Sequence, residues 1–216
     1  MGLYKADIKI PIDDIHLNGI LQIPQHAKSI VLFAHGSGSG RLSVRNQHVA
    51  GLLNNANIAT LLFDLLTENE EQVDDMTREH RFNISLLASR LISVTDWLSK
   101  QPETENLIVG YFGASTGGGA ALQAAAKKQN SVKAVVSRGG RPDLAGTALA
   151  HVKAPTLLIV GGLDEPVIEM NRDAMNEMHC IKKLDIIPGA THLFEEPGTL
   201  DEVARLAKEW FIDYLK

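Results

Sequence analysis

A chain of 216 residues, of which 44% are hydrophobic and 22% charged, has the ordinary composition of a soluble globular protein with one sizeable core. Its 26 acidic and 21 basic residues leave a formal net charge of −5, so the composition favours a small-molecule partner over nucleic acid or an anionic membrane. No apolar run approaches the roughly 18 residues that a membrane span needs. We expect a single domain over residues 1–216.

The cysteine content and the first residues both bear on the cellular compartment. Cys180 is the single cysteine, so no disulfide can form within the chain, which suits a reducing environment. The opening segment, MGLYKADIKIPIDD, lacks the uninterrupted apolar stretch of a signal peptide. We therefore expect a cytoplasmic protein.

The predicted elements start with an antiparallel hairpin, because ADIKIPI (6–12) and GILQIP (19–24) are joined through Asn18-Gly19, a dipeptide that suits a tight turn. After it, short runs of Val, Ile, Leu and Phe alternate with segments of helical periodicity. That alternation predicts an α/β fold with a mostly parallel sheet of about eight strands and helices on both faces. Later strands are expected at 29–36, 59–64, 106–115, 132–140, 154–164 and 182–189, with helices near 43–55, 83–100, 167–178 and 199–215 and directly after Ser115.

Two connections between these elements affect the expected site. The acidic stretch TENEEQVDDMTRE (67–79) is typical of a solvated connection, and its carboxylates do not have calcium-loop spacing, so we expect no metal site there. Between SRGG (137–140) and APTLL (154–158) only about a dozen residues intervene, which leaves no room for a large lid. The site should be shallow and open.

The segment GASTG (113–117) matches the pattern G-x-S-x-G at a predicted strand-to-helix turn. In that turn the serine adopts a strained backbone, and small residues two before and two after it avoid collision with the neighbouring strand and helix. Glycine-rich corners also occur in many α/β proteins that use no serine. The pentapeptide therefore indicates a nucleophile only if the rest of the chain supplies a base and an orienting acid.

Asp164 and His192 are the candidates for that acid and that base. Each follows a predicted strand, and the chain order Ser115, Asp164, His192 is the order of α/β-hydrolases. The alternative for Asp164 is a helix-capping role, and for His192 a solvated loop position. Six other histidines fall in turns, helices or polar connections: His16, His26, His48, His80, His151 and His179.

Acyl transfer also needs two backbone N–H groups that point at the developing oxyanion. We assign one to Thr116, directly after the serine, and the other to Ser37, with Gly38 as second choice, in the loop FAHGSGSGR (33–41). The same loop, followed by Asp64 after the next strand, also resembles a dinucleotide-binding turn. Arg41 or Ser43 occupies the third small position of that pattern, and we keep nucleotide binding as an alternative.

Three arginines leave loops at the same sheet edge and form a separate hypothesis. Arg41, Arg138 and Arg141 are candidates for binding an acidic group of the substrate, since guanidinium groups pair bidentately with carboxylates. The alternative is that these loop arginines are solvated or paired with local acids such as Asp143.

The chain resembles the α/β-hydrolases, and among them the small lidless proteins of dienelactone hydrolase type. The resemblance rests on VLFAHGSGSGRLSVRNQHVA, GYFGASTGGGAAL, SRGGRPDLAG, PTLLIVGGLDEPV and IIPGATHLFEEPGTL. It implies Ser115 as nucleophile, His192 as general base and then acid, Asp164 as its orienting carboxylate, and no cofactor or metal. True dienelactone hydrolases carry a cysteine nucleophile, so the serine favours ester hydrolysis in general over the dienelactone substrate itself. Because a site without a large lid encloses little apolar surface, we expect a small ester, lactone or thioester substrate. The alternative is a non-catalytic binding or signalling protein on the same fold.

Overall fold

A computed structural model describes residues 2–216 and shows one eight-stranded sheet. The strands are β1 (Leu3–Ile12), β2 (Ile15–Pro24), β3 (Ser29–Ala34), β4 (Ala59–Phe63), β5 (Ile108–Ala114), β6 (Val132–Arg138), β7 (Thr156–Gly161) and β8 (Lys182–Ile187). Their order across the sheet is β1-β2-β4-β3-β5-β6-β7-β8. β2 pairs antiparallel with β1 and β4, and all the other neighbours are parallel. The predicted α/β fold with an antiparallel N-terminal hairpin is confirmed.

Helices cover both faces of this sheet, as the strand sequences require. Strands β3, β4 and β7 are buried along their whole length, which is why each is a continuous apolar run and not an alternating one. The helices are α1 (Val44–Asn55), α2 (Glu68–Thr77), α3 (Ile84–Leu98), α4 (Thr116–Lys127), α5 (Glu165–Glu177) and α6 (Thr199–Tyr214). Helices α1 and α6 pack together over Phe33 and Phe112, whereas α3 and α4 pack together over Leu32 and Tyr111 on the opposite face.

The N-terminal hairpin turns at a different place from the one the sequence indicated. Asp13 and Asp14 form the turn between the paired residues Ile12 and Ile15, and Asp13 has a positive φ of 48°. Aspartate tolerates this conformation better than most residues. Asn18-Gly19 lies inside β2, where a Cβ on Gly19 would be only 3.2 Å from side chains of β1 and β4. The glycine therefore permits close packing, and the prediction of a turn there was wrong.

The acidic stretch at 67–79 is mostly exposed, as expected of a solvated connection, but it forms helix α2, which the sequence did not predict. Thr67 and Glu70 form a reciprocal capping box at its start, with hydrogen bonds of 3.2 and 2.7 Å, and acidic residues in the first turn complement the helix dipole. Buried Asp74 then accepts the N–H groups of His80 and Arg81 at 2.7 and 2.9 Å. These bonds hold the following loop next to residues 36–39, since Arg81 O lies 3.5 Å from Ser37 Oγ.

The carboxyl edge of the parallel strands carries no large covering element in the described chain. Residues 139–155, between β6 and β7, contain only the 3₁₀ segment Pro142–His151, which is kinked at Gly146. Across residues 2–216 every helix is too short or too polar to cross a membrane. The same residues contain no group of three or more His, Cys, Asp or Glu side chains arranged to hold a metal ion.

Candidate active site

Ser115 lies at the sharp turn that joins β5 to α4. Its φ of 51° and ψ of −122° are unusual for a residue with a side chain, and such a conformation costs on the order of 1–3 kcal/mol. The surrounding backbone holds it in place. Ser115 N–H donates to Arg138 O at 3.1 Å, and its carbonyl accepts from the N–H groups of Arg141 and Gly118 at 3.0 and 2.9 Å.

The glycines on either side of Ser115 are required by close backbone contacts. A Cβ on Gly117 would lie 2.1 Å from Ala34 O at the end of β3, and a Cβ on Gly113 would lie 2.5 Å from Gly117 O. Neither contact involves a flexible side chain that could move aside. This is the physical basis of the G-x-S-x-G pattern at this turn.

The structure brings Ser115, His192 and Asp164 into one hydrogen-bonded chain. His192 Nδ1 lies 2.6 Å from Asp164 Oδ2, and His192 Nε2 lies 3.3 Å from Ser115 Oγ. With its proton on Nδ1, directed at the carboxylate, the imidazole presents Nε2 as an acceptor for the serine hydroxyl. Glu196 holds the histidine loop by accepting from Thr191 N and Oγ1 at 3.0 and 2.6 Å. This arrangement can deprotonate a serine and stabilise the resulting imidazolium.

The two residues chosen for the oxyanion site are also adjacent. Ser37 Oγ lies 3.1 Å from Thr116 Oγ1, and a Cβ on Gly36 would be 3.1 Å from Ser115 Cβ, so the loop lies directly against the nucleophile. Within residues 2–216 neither Ser37 N–H nor Thr116 N–H donates to a backbone carbonyl. Both donors are free to bind a substrate oxygen.

His35 links this loop to the next strand, a role that the sequence did not reveal. Its Nε2 accepts a hydrogen bond from Leu65 N at 2.9 Å, which places the proton on Nδ1, and Nδ1 donates to Gly36 O at 2.9 Å. Burial lowers the pKa of His35, so the ring is neutral in the native state. The His35 side chain thereby fixes the ends of β3 and β4 to each other beneath the oxyanion loop, residues 33–41.

This histidine should make stability depend on pH. The His35 ring stays neutral in the native state, whereas in the unfolded chain it takes up a proton below the ordinary pKa of 6.5. The stabilising contribution of His35 to the free energy of unfolding is therefore complete above pH 6.5. As the pH falls toward the lowered native pKa, the free energy of unfolding should decline by up to about 1.4 kcal/mol per pH unit. His35→Gln retains an acceptor for Leu65 N–H but does not titrate, so urea unfolding across this range should show a shallower slope. An unchanged slope would contradict the assignment.

Two of the three candidate arginines are already paired with aspartates. Asp64 accepts both the backbone N–H of Arg41, at 2.7 Å, and its guanidinium. Asp143 accepts two bonds from Arg141, at 2.9 and 2.7 Å, which is the local pairing that the sequence offered as the alternative. Because both oxygens of Asp64 are engaged, the acid that nucleotide binding would need is not free either.

Arg138 differs from the other two, because it is buried at 7% exposure and lines the cleft that contains Ser115 and His192. Burial, and secondarily the charge of Arg45, lower the pKa of Arg138 to about 10, so the guanidinium is still charged at neutral pH. The guanidinium carbon of Arg138, Cζ, lies 5.9 Å from the centre of the Phe194 ring. Arg45 and Asn46, in the first turn of α1, line the same cleft. The sequence gave no signal for these two beyond their place after the oxyanion loop.

Comparisons with known proteins identify the family of the chain and agree with its fold. A sequence model described as Dienelactone hydrolase family matches residues 47–215. The crystal structure of a dienelactone hydrolase from Anabaena variabilis is 60% identical, covers 99% of both chains and superposes with a TM-score of 0.97. Est1E from Butyrivibrio proteoclasticus is 20% identical over 96% of this chain and 98% of its own, with a TM-score of 0.79, and so shares the fold.

The curated relatives are longer proteins. A Mycobacterium tuberculosis protein named "Putative phosphoribosyl transferase" is 56% identical over 213 residues, which are 99% of this chain but 47% of that protein. The chain thus spans about half the length of the curated relatives it matches.

Proposed function

Since the chain belongs to the dienelactone hydrolase family of α/β-hydrolases, we propose that it cleaves a small ester, lactone or thioester through a serine acyl-enzyme. The observation that carries this proposal is the contact chain from Asp164 through His192 to Ser115, at 2.6 and 3.3 Å. It supplies a nucleophile, a base and a group that orients the base, all at the edge where the parallel strands end.

The proposed reaction has two steps. Ser115 Oγ attacks the substrate carbonyl while His192 Nε2 takes its proton, and the tetrahedral oxyanion is stabilised by the N–H groups of Thr116 and Ser37. His192 then gives the proton to the leaving alcohol or thiol. Water attacks the acyl-enzyme with the same histidine as base, which releases the acid and restores Ser115. His192 carries the transferred proton in both steps, and water is the second substrate.

The dimensions of the cleft favour a small substrate. Its volume is about 200 Å³, which is below the range of drug-sized ligand pockets, and the cleft is partly open to solvent. A lactone or a short-chain ester fits such a space, whereas a long acyl chain would remain mostly in water.

Phosphoribosyl transfer, which the name of the mycobacterial relative describes, is not the activity that we propose for this chain. That name belongs to a protein of which the chain matches less than half. The contact of 3.3 Å between His192 Nε2 and Ser115 Oγ supports acyl transfer instead.

Labelling with a fluorophosphonate separates the enzyme from a binding protein on the same fold. We expect one adduct, located on Ser115 by peptide mass spectrometry, because phosphonylation needs a serine activated by a base. An excess of a short-chain ester present during the labelling should slow it, and Ser115→Ala should abolish it. A protein with an unactivated serine would stay unlabelled, and that result would favour the non-catalytic alternative.

A further inference from the structure

Strand β8 is one edge of the sheet, and its outer side is open. Among residues 2–216 its only strand neighbour is β7, while α5 and α6 pack against its two faces. Ile181, directly before the strand, is 59% exposed, and Ile186 within it is 38% exposed. An edge with exposed isoleucines and unpaired backbone groups is a template for pairing with a further strand.

The hydrogen bonds to β7 determine which backbone groups of β8 face the open side. Ile181 O accepts from Thr156 N, and Ile187 O accepts from Gly162 N, both at 2.8 Å. Since a residue in a strand directs its N–H and C=O to the same side, the odd-numbered residues of β8 face β7. The groups that point outward belong to Lys182, Leu184 and Ile186.

We propose that two copies of this chain associate by antiparallel pairing of their β8 strands about a twofold axis at Leu184, which joins the two sheets into one. In this register Leu184 lies opposite its own counterpart. The outward backbone groups of Lys182 bond those of Ile186 in the second copy. Lys183 of each copy lies opposite Asp185 of the other, and because the contact is isologous this unlike pair occurs twice. The association is independent of the proposed hydrolase activity.

The charges on β8 favour a second copy as the occupant and select this register. Lys183 and Asp185 lie on the same face of the strand, and directly opposite residues of an antiparallel pair also share a face. An axis at Leu184 makes Lys183 and Asp185 a non-hydrogen-bonded pair, in which side chains approach most closely. An axis at Lys183 or at Asp185 would oppose two like charges, and an axis between two residues would misalign the outward backbone groups.

The lysines of β8 permit this pairing. Lys183 is 57% exposed, and its Nζ lies 2.9 Å from Asp185 Oδ2 without the geometry of a hydrogen bond, so the pair within one copy is weak and can re-form between copies. The ammonium group of Lys182 bonds the carbonyls of Met175 and Met178 at the end of α5. Lys182 therefore brings no free charge to the axis.

The other edge strand, β1, is less suited to pairing. It exposes Lys5 and Lys9 and contains Pro11, and both lysine and proline on an edge oppose the addition of a strand. In the proposed pair the two β8 strands run in opposite directions, so their carboxyl ends lie at opposite edges of the joined sheet. The association therefore closes neither of the two candidate active sites.

Analytical ultracentrifugation over a range of concentrations tests the association. The wild type should reach twice the 23.5 kDa of one chain and dissociate on dilution. We expect a Kd on the order of 1–100 µM, because one pair of short edge strands buries less than a standard interface. Lys183→Asp and Asp185→Lys each put like charges opposite one another at both pairs, so each variant alone should raise Kd by about 10- to 100-fold.

A mixture of these two variants tests the register. Lys183→Asp has acids at both positions and Asp185→Lys has lysines at both, so an equimolar mixture should form a heterodimer with about the wild-type Kd. The double variant Lys183→Asp/Asp185→Lys exchanges the two charges and should again form a homodimer. Circular dichroism and urea midpoints are measured on every variant to confirm that it is folded.

Ile186→Pro and Lys5→Asp complete the set. Proline at position 186 removes an outward N–H and leaves the bonds to β7 in place, so it should abolish the dimer without unfolding the sheet. Lys5→Asp reverses a charge on the opposite edge and should leave Kd unchanged. A wild type that is monomeric at about 200 µM, beyond the Kd range expected for such an interface, would overturn the proposal. A dimer that persists in Ile186→Pro, or folded charge variants that fail to associate on mixing, would also overturn it.

Discussion

Ser115→Ala should reduce kcat for a short-chain 4-nitrophenyl ester by about 10⁵- to 10⁶-fold, because the members of such a triad act as a unit. Alanine fits the turn between β5 and α4 sterically, and the backbone bonds of Ser115 to Arg138 and Arg141 do not involve its hydroxyl. The variant should therefore keep the circular dichroism spectrum and urea midpoint of the wild type. Turnover is measured under saturating substrate with the variant purified separately, so that traces of wild type do not set the residual rate.

His192→Ala provides the companion measurement. Removal of the base alone should cost nearly as much as removal of the nucleophile, and the double variant should be scarcely slower than either single variant. Multiplicative losses in the double variant would show that the two residues do not work together. A Ser115→Ala protein that kept a substantial fraction of the wild-type kcat would remove the serine from the mechanism.

Gly117→Ala should destabilise the protein by about 3 kcal/mol or more, at the upper end of overpacking effects. The added methyl group would lie 2.1 Å from Ala34 O and 2.5 Å from His35 O, so β3 and α4 must separate. Because both contacts are with backbone at the base of the oxyanion loop, activity should fall together with stability. Urea unfolding and ester turnover on the same preparation measure both effects.

Gly51→Ala is the control for this substitution. Gly51 lies within helix α1, and a Cβ there meets no atom within 4 Å. Alanine should stabilise that helix by about 0.5–1 kcal/mol and leave turnover unchanged. If Gly117→Ala behaved like Gly51→Ala, the steric explanation of the glycines beside Ser115 would be wrong.

The elements that the sequence predicted well are those determined by local pattern. Buried parallel strands read as apolar runs, and Ser115, Asp164 and His192 lie one, three and five residues after the ends of β5, β7 and β8. Since parallel strands end at one edge, their order along the chain was sufficient to bring the three residues together. The type of fold and the position of the candidate site were therefore accessible without coordinates.

The remaining features depend on contacts between distant segments. Asn18-Gly19 has the composition of a turn, but packing against β4 places it inside a strand. The capping signature Thr67-x-x-Glu70 was present in the acidic stretch, yet the high charge density obscured it. Pairing of Arg41 with Asp64 follows from the approach of two loops 23 residues apart. Propensity and periodicity do not contain that information.

Arg138 serves the nucleophile and the cleft through different atoms. Its carbonyl oxygen holds Ser115 N–H, a bond that any residue at this position can make, while its guanidinium faces the cleft. Position 138 can thus be substituted without loss of the backbone hydrogen bond that holds Ser115. A library randomised at positions 138 and 45 would change the lining of the cleft while the backbone support of the nucleophile stays in place, which makes this small scaffold a convenient starting point for engineered ester selectivity.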